Sequence, residues 1–410
     1  MKKKYLTILC DGMADYPDSR GLTPMDEAHK PAMDELCGKG AIGLVKTVPD
    51  GMKAGSDVCN LAALGYDPRE CYTGRSPLEA LSMGIDLSET DATLRVNLVT
   101  LSEEPRLSDR TMLDYSAGEI SSEEAAKLIT ALQPLFAEYG VELYAGVSYR
   151  HAAVIRGAGM SGTEFTPPHD ITGKPVKNSL PKNGKSEFFT QITERSAAVL
   201  SEHPVNAERV RAGKNPANSV WFWGEGTKPA LTAFFDKFGK TATVISAVDL
   251  VKGIGKAGGM TVVDIPTATG TVDTDYEAKT AAAKLSLRTY DYCFVHLEGP
   301  DECGHQGDRG GKITAIERID ARVLKPLLEH LKSSGAPFAV SVMPDHATPL
   351  SVRTHTKEPV PFLIYDSEDE KHNAATKFCE KSAARSGIYL ANGYDVINAL
   401  FGRKPLKSDI

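Results

Sequence analysis

Short apolar runs alternate with longer segments of helical spacing, and this alternation restricts the possible folds of the chain more than any other feature. Two runs lie near the N-terminus, YLTILC (5–10) and AIGLVKTV (41–48). From about residue 218 the runs are SVWFWG, TATVIS, MTVVDI, YDYCFVHL, FAVSVMP and PFLIYD, most of them separated by helical patterns. Strands that alternate with helices favour a parallel sheet covered on both faces. The sequence therefore predicts an α/β fold with a doubly wound, mostly parallel sheet.

The stretch between residues 113 and 185 has a different character. It contains a helical pattern that starts with a capping box, Ser121 and Glu124, and ends at Gly140. Two short strand-like runs follow, and then a loop-like segment that is rich in Gly, Pro, Thr and Asn. We predict a core domain formed by 1–112 and 186–410, interrupted by a small inserted α+β substrate or lid domain at 113–185.

Composition excludes several classes of protein. The 410 residues carry a net charge of −7, which disfavours a nucleic-acid-binding surface because such surfaces are normally basic. No run reaches the roughly 18 apolar residues that a membrane-spanning helix needs. The seven cysteines are an odd number without a C-x-x-C pair, which favours a reducing compartment. We expect a cytoplasmic protein with a small-molecule substrate, and the oligomeric state stays open.

Side chains that can bind metal ions follow several of the predicted strands. They are Asp11, Asp301, His305, Asp345, His346 and His355, and Ser56 lies at a predicted helix start after the second strand. Ligands of open α/β sheets gather outside the carboxyl ends of the strands, so these side chains are expected at one edge of one sheet. Each of them alone is more typical of a turn, a helix cap or a solvated loop. Their joint position at separate strand ends favours a metal site.

The residue types indicate phosphoryl chemistry. Three carboxylates and three imidazoles are enough for two divalent ions with mixed nitrogen and oxygen ligands. Two ions roughly 3.5–4 Å apart can stabilise both the attacking and the leaving oxygen of a phosphoryl displacement. Metal coordination activates a serine hydroxyl, and a helix N-terminus favours a phosphate, so Ser56 is the candidate nucleophile. By contrast, His296 lies inside the apolar run YDYCFVHL and is predicted to be a core residue with its hydrogen bonds satisfied.

Seven motifs together resemble one family. They are DGM (11–13), AGSDVCNLAALGYDP (54–68), GRSPLEA (74–80), GPDECGHQGD (299–308), KITAIERID (312–320), MPDHATP (343–349) and RTHTKEPVPF (353–362). This combination resembles the archaeal-type cofactor-independent phosphoglycerate mutases, which belong to the alkaline-phosphatase superfamily of two-metal enzymes. The resemblance implies that Asp301, His305 and His355 hold one metal. It implies that Asp11, Ser56, Asp345 and His346 hold the other, with Mn, Mg or Zn as the ions.

The resemblance also implies a reaction. Ser56 would take the phosphoryl group of 3-phosphoglycerate as a phosphoserine and return it to the other hydroxyl, without bisphosphoglycerate. A phosphorylated carboxylic acid requires cationic partners, and arginine binds both anionic groups in a bidentate manner. The candidates for catalysis or substrate binding are Arg75, Asp109, Arg110, Arg150, His151, Arg156 and Lys252. The segment RLSDRTMLDYSAGEI keeps Asp109 and Arg110 but departs from the double-arginine pattern expected of the mutases.

Two other activities remain open. SVWFWGEG and HLEGPDECGH resemble a bacterial branch of the family that has been proposed to act as homoserine kinase. Neither NGKS nor GIGKAG has the strand-then-helix context of a nucleotide-binding loop, so ATP binding would have to rest on the two-metal site itself. A phosphomonoesterase would use the same phosphoserine with water as acceptor. A protein that binds metals without catalysis is the last alternative.

Overall fold

The computed structural model describes residues 2–372 and 375–406. The chain forms two compact units, one from Met1–Tyr72 with Ala230–Ile410, and one from Thr73–Pro229. We call them the first and the second unit. The predicted insert, 113–185, lies wholly inside the second unit, which begins and ends well outside those bounds.

Strands and helices are numbered in chain order within the described residues. The strands are β1 Lys4–Cys10, β2 Ala41–Val45, β3 Ala92–Leu101, β4 Met112–Asp114, β5 Glu142–Tyr144, β6 Arg150–Ile155, β7 Ser219–Thr227, β8 Ala242–Ile245, β9 Thr261–Val263, β10 Tyr292–Leu297, β11 Phe338–Met343, β12 Val360–Asp366 and β13 Tyr389–Leu390. The α-helices are α1 Pro24–Glu27, α2 Pro31–Lys39, α3 Ser56–Ala63, α4 Pro68–Cys71, α5 Ser76–Ser82, α6 Ser122–Glu138, α7 Ser186–Ser201, α8 Pro204–Arg211, α9 Phe234–Phe238, α10 Asp249–Ala257, α11 Tyr276–Thr289, α12 Gly299–Gln306, α13 Arg309–Ile319, α14 Lys325–Ser334, α15 Glu380–Arg385 and α16 Asp395–Leu400. Among the helices of these described residues, none combines the length and the apolar character that a membrane span needs.

The first unit is built on an eight-stranded sheet of order β13-β2-β12-β11-β1-β10-β8-β9. Every neighbouring pair is parallel except the two pairs that β12 forms. The central strands β10 and β11 are buried along their whole length, as expected for strands covered on both faces. The predicted α/β fold with a mostly parallel sheet is confirmed.

The second unit contains a separate five-stranded sheet of order β4-β3-β6-β5, with β7 paired to β3. Its pairs are antiparallel. The run SVWFWG was expected to return to the core sheet, and this prediction is wrong because β7 pairs with β3 in the second sheet. In β7, Val220 and Phe222 pack into an apolar core with α6 and α7, while Trp221 and Trp223 point to the other face. That alternation is typical of antiparallel sheets rather than of a strand buried on both faces.

Candidate two-metal active site

The predicted metal ligands of the first unit meet at the carboxyl edge of its sheet. Asp11 directly follows β1, Asp301 lies in the first turn of α12 after β10, and Asp345 and His346 follow β11. Ser56 is the first residue of α3, and Gly55 occupies the N-cap position. The central strands β10, β1 and β11 are adjacent and parallel, so their ends deliver these side chains to one place.

One group of potential ligands consists of Asp11, Asp345 and His346, each with an atom within 4.8 Å of the others. His346 Nε2 lies 3.4 Å from Asp11 Oδ1 and 3.4 Å from Asp345 Oδ2. The Ser56 hydroxyl reaches the same nitrogen, with Oγ 3.1 Å from His346 Nε2. The four residues assigned to one metal by resemblance therefore do converge.

The second group consists of Asp301, His346 and His355, again within 4.8 Å of one another. His355 Nε2 lies 3.5 Å from Asp301 Oδ1, and His305 Nε2 lies 3.2 Å from Asp301 Oδ2. His305 Nε2 is also 3.0 Å from His355 Nε2. His346 thus belongs to both groups, and its ring stacks on that of His355 with the centroids 3.9 Å apart.

The buried carboxylates and imidazoles of this cluster favour the binding of cations. Burial raises the pKa of Asp11 well above its usual range, and the carboxylates of Asp345 and Asp301 raise it further. Asp11 Oδ1 is buried and has no hydrogen-bond partner within the described residues. Burial lowers the pKa of His346, which favours the neutral imidazole that a metal ion binds. A buried, unpaired oxygen among like charges is the arrangement that a bound divalent ion would stabilise.

The backbone adopts unusual conformations at two places beside the cluster. Gly12 has a φ of +61°, and a Cβ atom on it would lie 2.5 Å from Asp301 Oδ1, so no other residue fits. Arg353 has a φ of +59°, which is costly for a residue with a side chain. In this conformation the Arg353 carbonyl lies 3.0 Å from His305 Nδ1 and can accept a hydrogen bond from its N–H. With the proton on Nδ1, the lone pair of His305 Nε2 can bind a metal.

Several side chains that support the ligands were not predicted from the sequence. Asn60, one helical turn after Ser56, donates from Nδ2 to the Ser56 carbonyl (2.9 Å) and to Asp345 Oδ2 (3.0 Å). The Thr348 hydroxyl donates to Asp301 Oδ1. His296 is fully buried, as predicted, but its Nε2 contacts Asp11 Oδ2 at 2.8 Å. Asn60 could have been found from the sequence, because its i, i+4 spacing from Ser56 places the two residues on one face of a helix.

One of the candidate substrate residues of the second unit, Arg75, belongs to a cluster of charged side chains around Glu79. Arg75 Nε lies 2.8 Å from Glu79 Oε1, and Arg95 Nε lies 2.9 Å from Glu79 Oε2. The Arg95 guanidinium stacks on the Trp223 ring, 4.0 Å from its centroid. Burial lowers the pKa of Arg95 to about 10, and the charges of Arg75 and Arg150 lower it further, whereas Glu79 raises it. Arg95 was not predicted, since a lone arginine within the strand run ATLRVNLVTL has no motif of its own.

Arg150 and His151 are neighbours in β6 and point to opposite faces of the sheet, because strand side chains alternate. Arg150 is exposed beside Tyr149. His151 is buried, its Nδ1 accepts the Gly146 N–H (3.1 Å), and its Nε2 has no partner within the described residues. Burial lowers the pKa of His151 to about 3. The two side chains therefore lie on opposite faces of the sheet, and their roles in catalysis or substrate binding stay predictions.

Two predicted cations are held by carboxylates. Arg156 donates to Asp91 Oδ2 (2.8 Å) and, through Nη2, to Glu142 Oε2 (2.7 Å), which gives it a structural role. Lys252, on α10 of the first unit, donates to Asp264 Oδ1 (2.7 Å).

The remaining candidates lie in an exposed loop of the second unit. Arg110 donates from Nε to the Glu104 carbonyl (2.7 Å), and the neighbouring Asp109 carboxylate is contacted by the Ser108 hydroxyl. Neither contact brings the pair to the cluster around Glu79.

Comparison with known proteins decides the family. The family model described as 2,3-bisphosphoglycerate-independent phosphoglycerate mutase matches residues 38–206. The mutase of that name from Methanosarcina barkeri is 46% identical over 98% of this chain and 100% of its own length. A probable mutase of the same name from Geobacter sulfurreducens is 44% identical, again over 98% of this chain and 100% of its own length. This chain belongs to the 2,3-bisphosphoglycerate-independent phosphoglycerate mutase family.

Solved structures agree with this membership of the mutase family. The cofactor-independent phosphoglycerate mutase from Thermoplasma acidophilum is 26% identical, with a TM-score of 0.68 over 98% of this chain and 99% of that one. A protein from Pyrococcus horikoshii is 29% identical, with a TM-score of 0.83 over 99% of both chains. The predicted family is confirmed, and so is the prediction that the chain is an enzyme of the mutase class.

Proposed function

We propose that this mutase-family chain interconverts 3-phosphoglycerate and 2-phosphoglycerate through a phosphoserine on Ser56. The observation that carries the proposal is the position of the Ser56 hydroxyl, 3.1 Å from His346 Nε2 inside the cluster of carboxylates and imidazoles. A hydroxyl in that environment is the only type of side chain there that can accept a phosphoryl group as a stable ester. The names of the relatives supply the substrate.

Two divalent metal ions are part of the proposal. Asp11, Asp345 and His346 would hold one of them together with the Ser56 hydroxyl, and Asp301, His305 and His355 would hold the other. Bound there, Mn, Mg or Zn ions would lower the pKa of the serine hydroxyl and stabilise negative charge on the phosphoryl oxygens. The fit rests on the donor set and on the buried, unpaired Asp11 Oδ1.

Ser56 forms a bond to phosphorus in the first half of the reaction and breaks that bond in the second half. Its Oγ attacks the phosphorus of 3-phosphoglycerate and loses its proton, the bond from phosphorus to the 3-oxygen breaks, and that oxygen takes up a proton. In the second half the 2-hydroxyl loses its proton and attacks the phosphorus of the phosphoserine, the bond from phosphorus to Ser56 Oγ breaks, and Oγ takes up a proton. The N–H groups of Ser56 and Asp57 at the start of α3 can bind oxygens of the transferred phosphoryl group, whereas the Val58 N–H donates to Asp57 Oδ1.

The second unit contains arginines that can bind a carboxylate or a phosphate group. Arg75, Arg95 and Arg150 interact electrostatically, and Arg75 and Arg95 contact the same carboxylate, Glu79. Guanidinium groups bind carboxylates and phosphates in a bidentate manner, and Arg95 is held in place by the Trp223 ring. We keep Arg75 and Arg150 as substrate residues and add Arg95. Lys252, Asp109 and Arg110 stay predictions without a contact that favours them.

The expected compartment remains the cytoplasm. All seven cysteines are buried and none of them forms a disulfide, which supports a reducing environment.

The direct experiment follows 2-phosphoglycerate formation by the metal-loaded protein without bisphosphoglycerate. We expect isomerisation by the wild-type protein and its loss in Ser56→Ala. Ser201→Ala is the matched control, because Ser201 is an exposed residue at the end of α7. One parallel reaction contains ATP and homoserine. Another contains a simple phosphate monoester, which has no second hydroxyl to accept the phosphoryl group.

Each result has one meaning for the proposal. ADP formation that depends on homoserine, without isomerisation, would replace the mutase by the kinase. Release of phosphate alone would indicate a phosphatase. Isomerisation at the wild-type rate in Ser56→Ala would refute the phosphoserine.

A further inference from the structure

The two oxygens of Asp11 have different surroundings. Oδ2 lies 2.8 Å from His296 Nε2, whereas Oδ1 is buried without a hydrogen-bond partner in the described part of the chain. Oδ1 instead lies 3.4 Å from His346 Nε2. One oxygen of Asp11 is therefore held by a hydrogen bond, and the other faces the potential metal ligands.

The partners of His296 determine which of its ring nitrogens carries the proton. Its Nδ1 lies 3.2 Å from the Ser246 hydroxyl, and that hydroxyl accepts the Val248 N–H at 2.9 Å. Since the hydroxyl oxygen already accepts a hydrogen bond from the backbone, its own proton is free to be donated to Nδ1. The proton of the neutral imidazole is then on Nε2, where it is donated to Asp11 Oδ2.

The strand that carries His296 is anchored as well. The buried Lys279 of α11 donates to the His296 carbonyl at 3.1 Å. His296 and Asp11 come from the adjacent parallel strands β10 and β1, and Ser246 follows β8 on the other side of β10. Ser246, His296 and Asp11 therefore form a chain of hydrogen bonds across three neighbouring strands, and all three side chains are buried.

We infer that His296 and Ser246 are positioning residues that hold Asp11 as a metal ligand, with Oδ1 directed to the ion. The inference rests on the metal site of the proposed function, and it assigns His296 a role beyond core packing. Residues that hydrogen-bond to metal ligands typically change metal affinity by about 10–100-fold when they are replaced. We expect a loss of that size for Mn²⁺ at one of the two sites in His296→Leu.

Isothermal titration calorimetry with Mn²⁺ on the metal-free full chain tests the inference. His296→Gln keeps an N–H donor and should bind Mn²⁺ more tightly than His296→Leu, while Ser246→Ala should bind less tightly than wild type. His330→Leu, at a half-buried position of α14, is the matched control and should bind as wild type does. Circular dichroism and the free energy of unfolding of the metal-free variants separate weak binding from loss of structure.

Wild-type Mn²⁺ affinity in folded His296→Leu or in Ser246→Ala would overturn the inference. If His296→Leu does not fold, Ser246→Ala and His296→Gln decide the question alone. Failure of the proposed function is distinguishable, because isomerisation in Ser56→Ala refutes the phosphoserine without altering the Mn²⁺ titrations of the His296 variants.

Discussion

Replacement of Lys312 by methionine should destabilise the first unit far more than replacement of an exposed lysine. Lys312 lies on α13 and its side chain is completely buried. Its ammonium donates to Asp15 Oδ2 (2.7 Å), the Ala14 carbonyl (3.2 Å) and the Thr348 carbonyl (2.9 Å). It therefore ties the loop after β1 to the loop after β11, and these two loops carry Asp11 and Asp345.

The expected magnitude follows from the burial of both charges. The Asp15 side chain is only 3% exposed, so Lys312→Met leaves a buried carboxylate without its cation. Breaking a buried ion pair by removing one partner typically costs about 3–5 kcal/mol, and we expect a loss of that size in the free energy of unfolding of Lys312→Met. Asp15 retains hydrogen bonds from the N–H groups of Tyr16 and Leu350, which favours the lower half of that range.

Urea denaturation of the metal-free protein, followed by circular dichroism, measures the free energy of unfolding. Lys332→Met is the matched control, because Lys332 is half exposed and 3.9 Å from Glu35, and we expect a change of about 0.5 kcal/mol or less. The double variant Lys312→Met with Asp15→Asn should lose less than the sum of the two single variants. A loss below about 1 kcal/mol in Lys312→Met, or strictly additive single losses, would refute the reasoning.

Three further predictions concern the backbone and acid stability. Gly12→Ala should abolish Mn²⁺ binding in calorimetry, because the new Cβ would overlap Asp301; unchanged binding would contradict the required close approach. Arg353→Val should be less stable than Arg353→Gly by about 1–2 kcal/mol in urea denaturation, because only glycine adopts the φ of +59° without strain; equal stability would rule out strain. Burial raises the pKa of Asp91, but hydrogen bonds from backbone N–H groups and from Arg156 outweigh it and leave the pKa below its usual value. The resulting stabilisation is complete above the pKa of about 3.9 in the unfolded chain and is lost as the pH falls through the folded value, so Asp91→Asn should flatten the loss of stability below about pH 4; an unchanged acid limb would contradict this assignment.

The convergence of the candidate metal ligands could be predicted from the sequence because the positions of the three aspartates follow from one rule. Asp11, Asp301 and Asp345 each lie within four residues of the end of a strand in an almost entirely parallel sheet, and parallel strands end at the same edge. The partition of ligands between two ions came from resemblance, and the position of His346 in both groups is visible only in three dimensions.

The supporting residues depend on contacts that a sequence does not display. His296 looks like any polar residue in a buried strand until the register with β1 places it beside Asp11. Arg95 becomes a candidate binding residue only because β3 pairs antiparallel with β7. This pairing brings Trp223, more than a hundred residues later in the chain, next to Arg95. The opposite orientation of Arg150 and His151 was within reach of sequence reasoning, since neighbours in a strand point to opposite faces.

The central claim is that Ser56 carries the phosphoryl group during turnover at the two-metal site. Rapid quenching of the Mn²⁺-loaded protein with 3-phosphoglycerate, followed by peptide mass spectrometry, measures this directly. We predict a phosphoryl group on the peptide that contains Ser56, formed no more slowly than 2-phosphoglycerate appears. Formation of 2-phosphoglycerate with Ser56 unmodified at every time point would contradict the account.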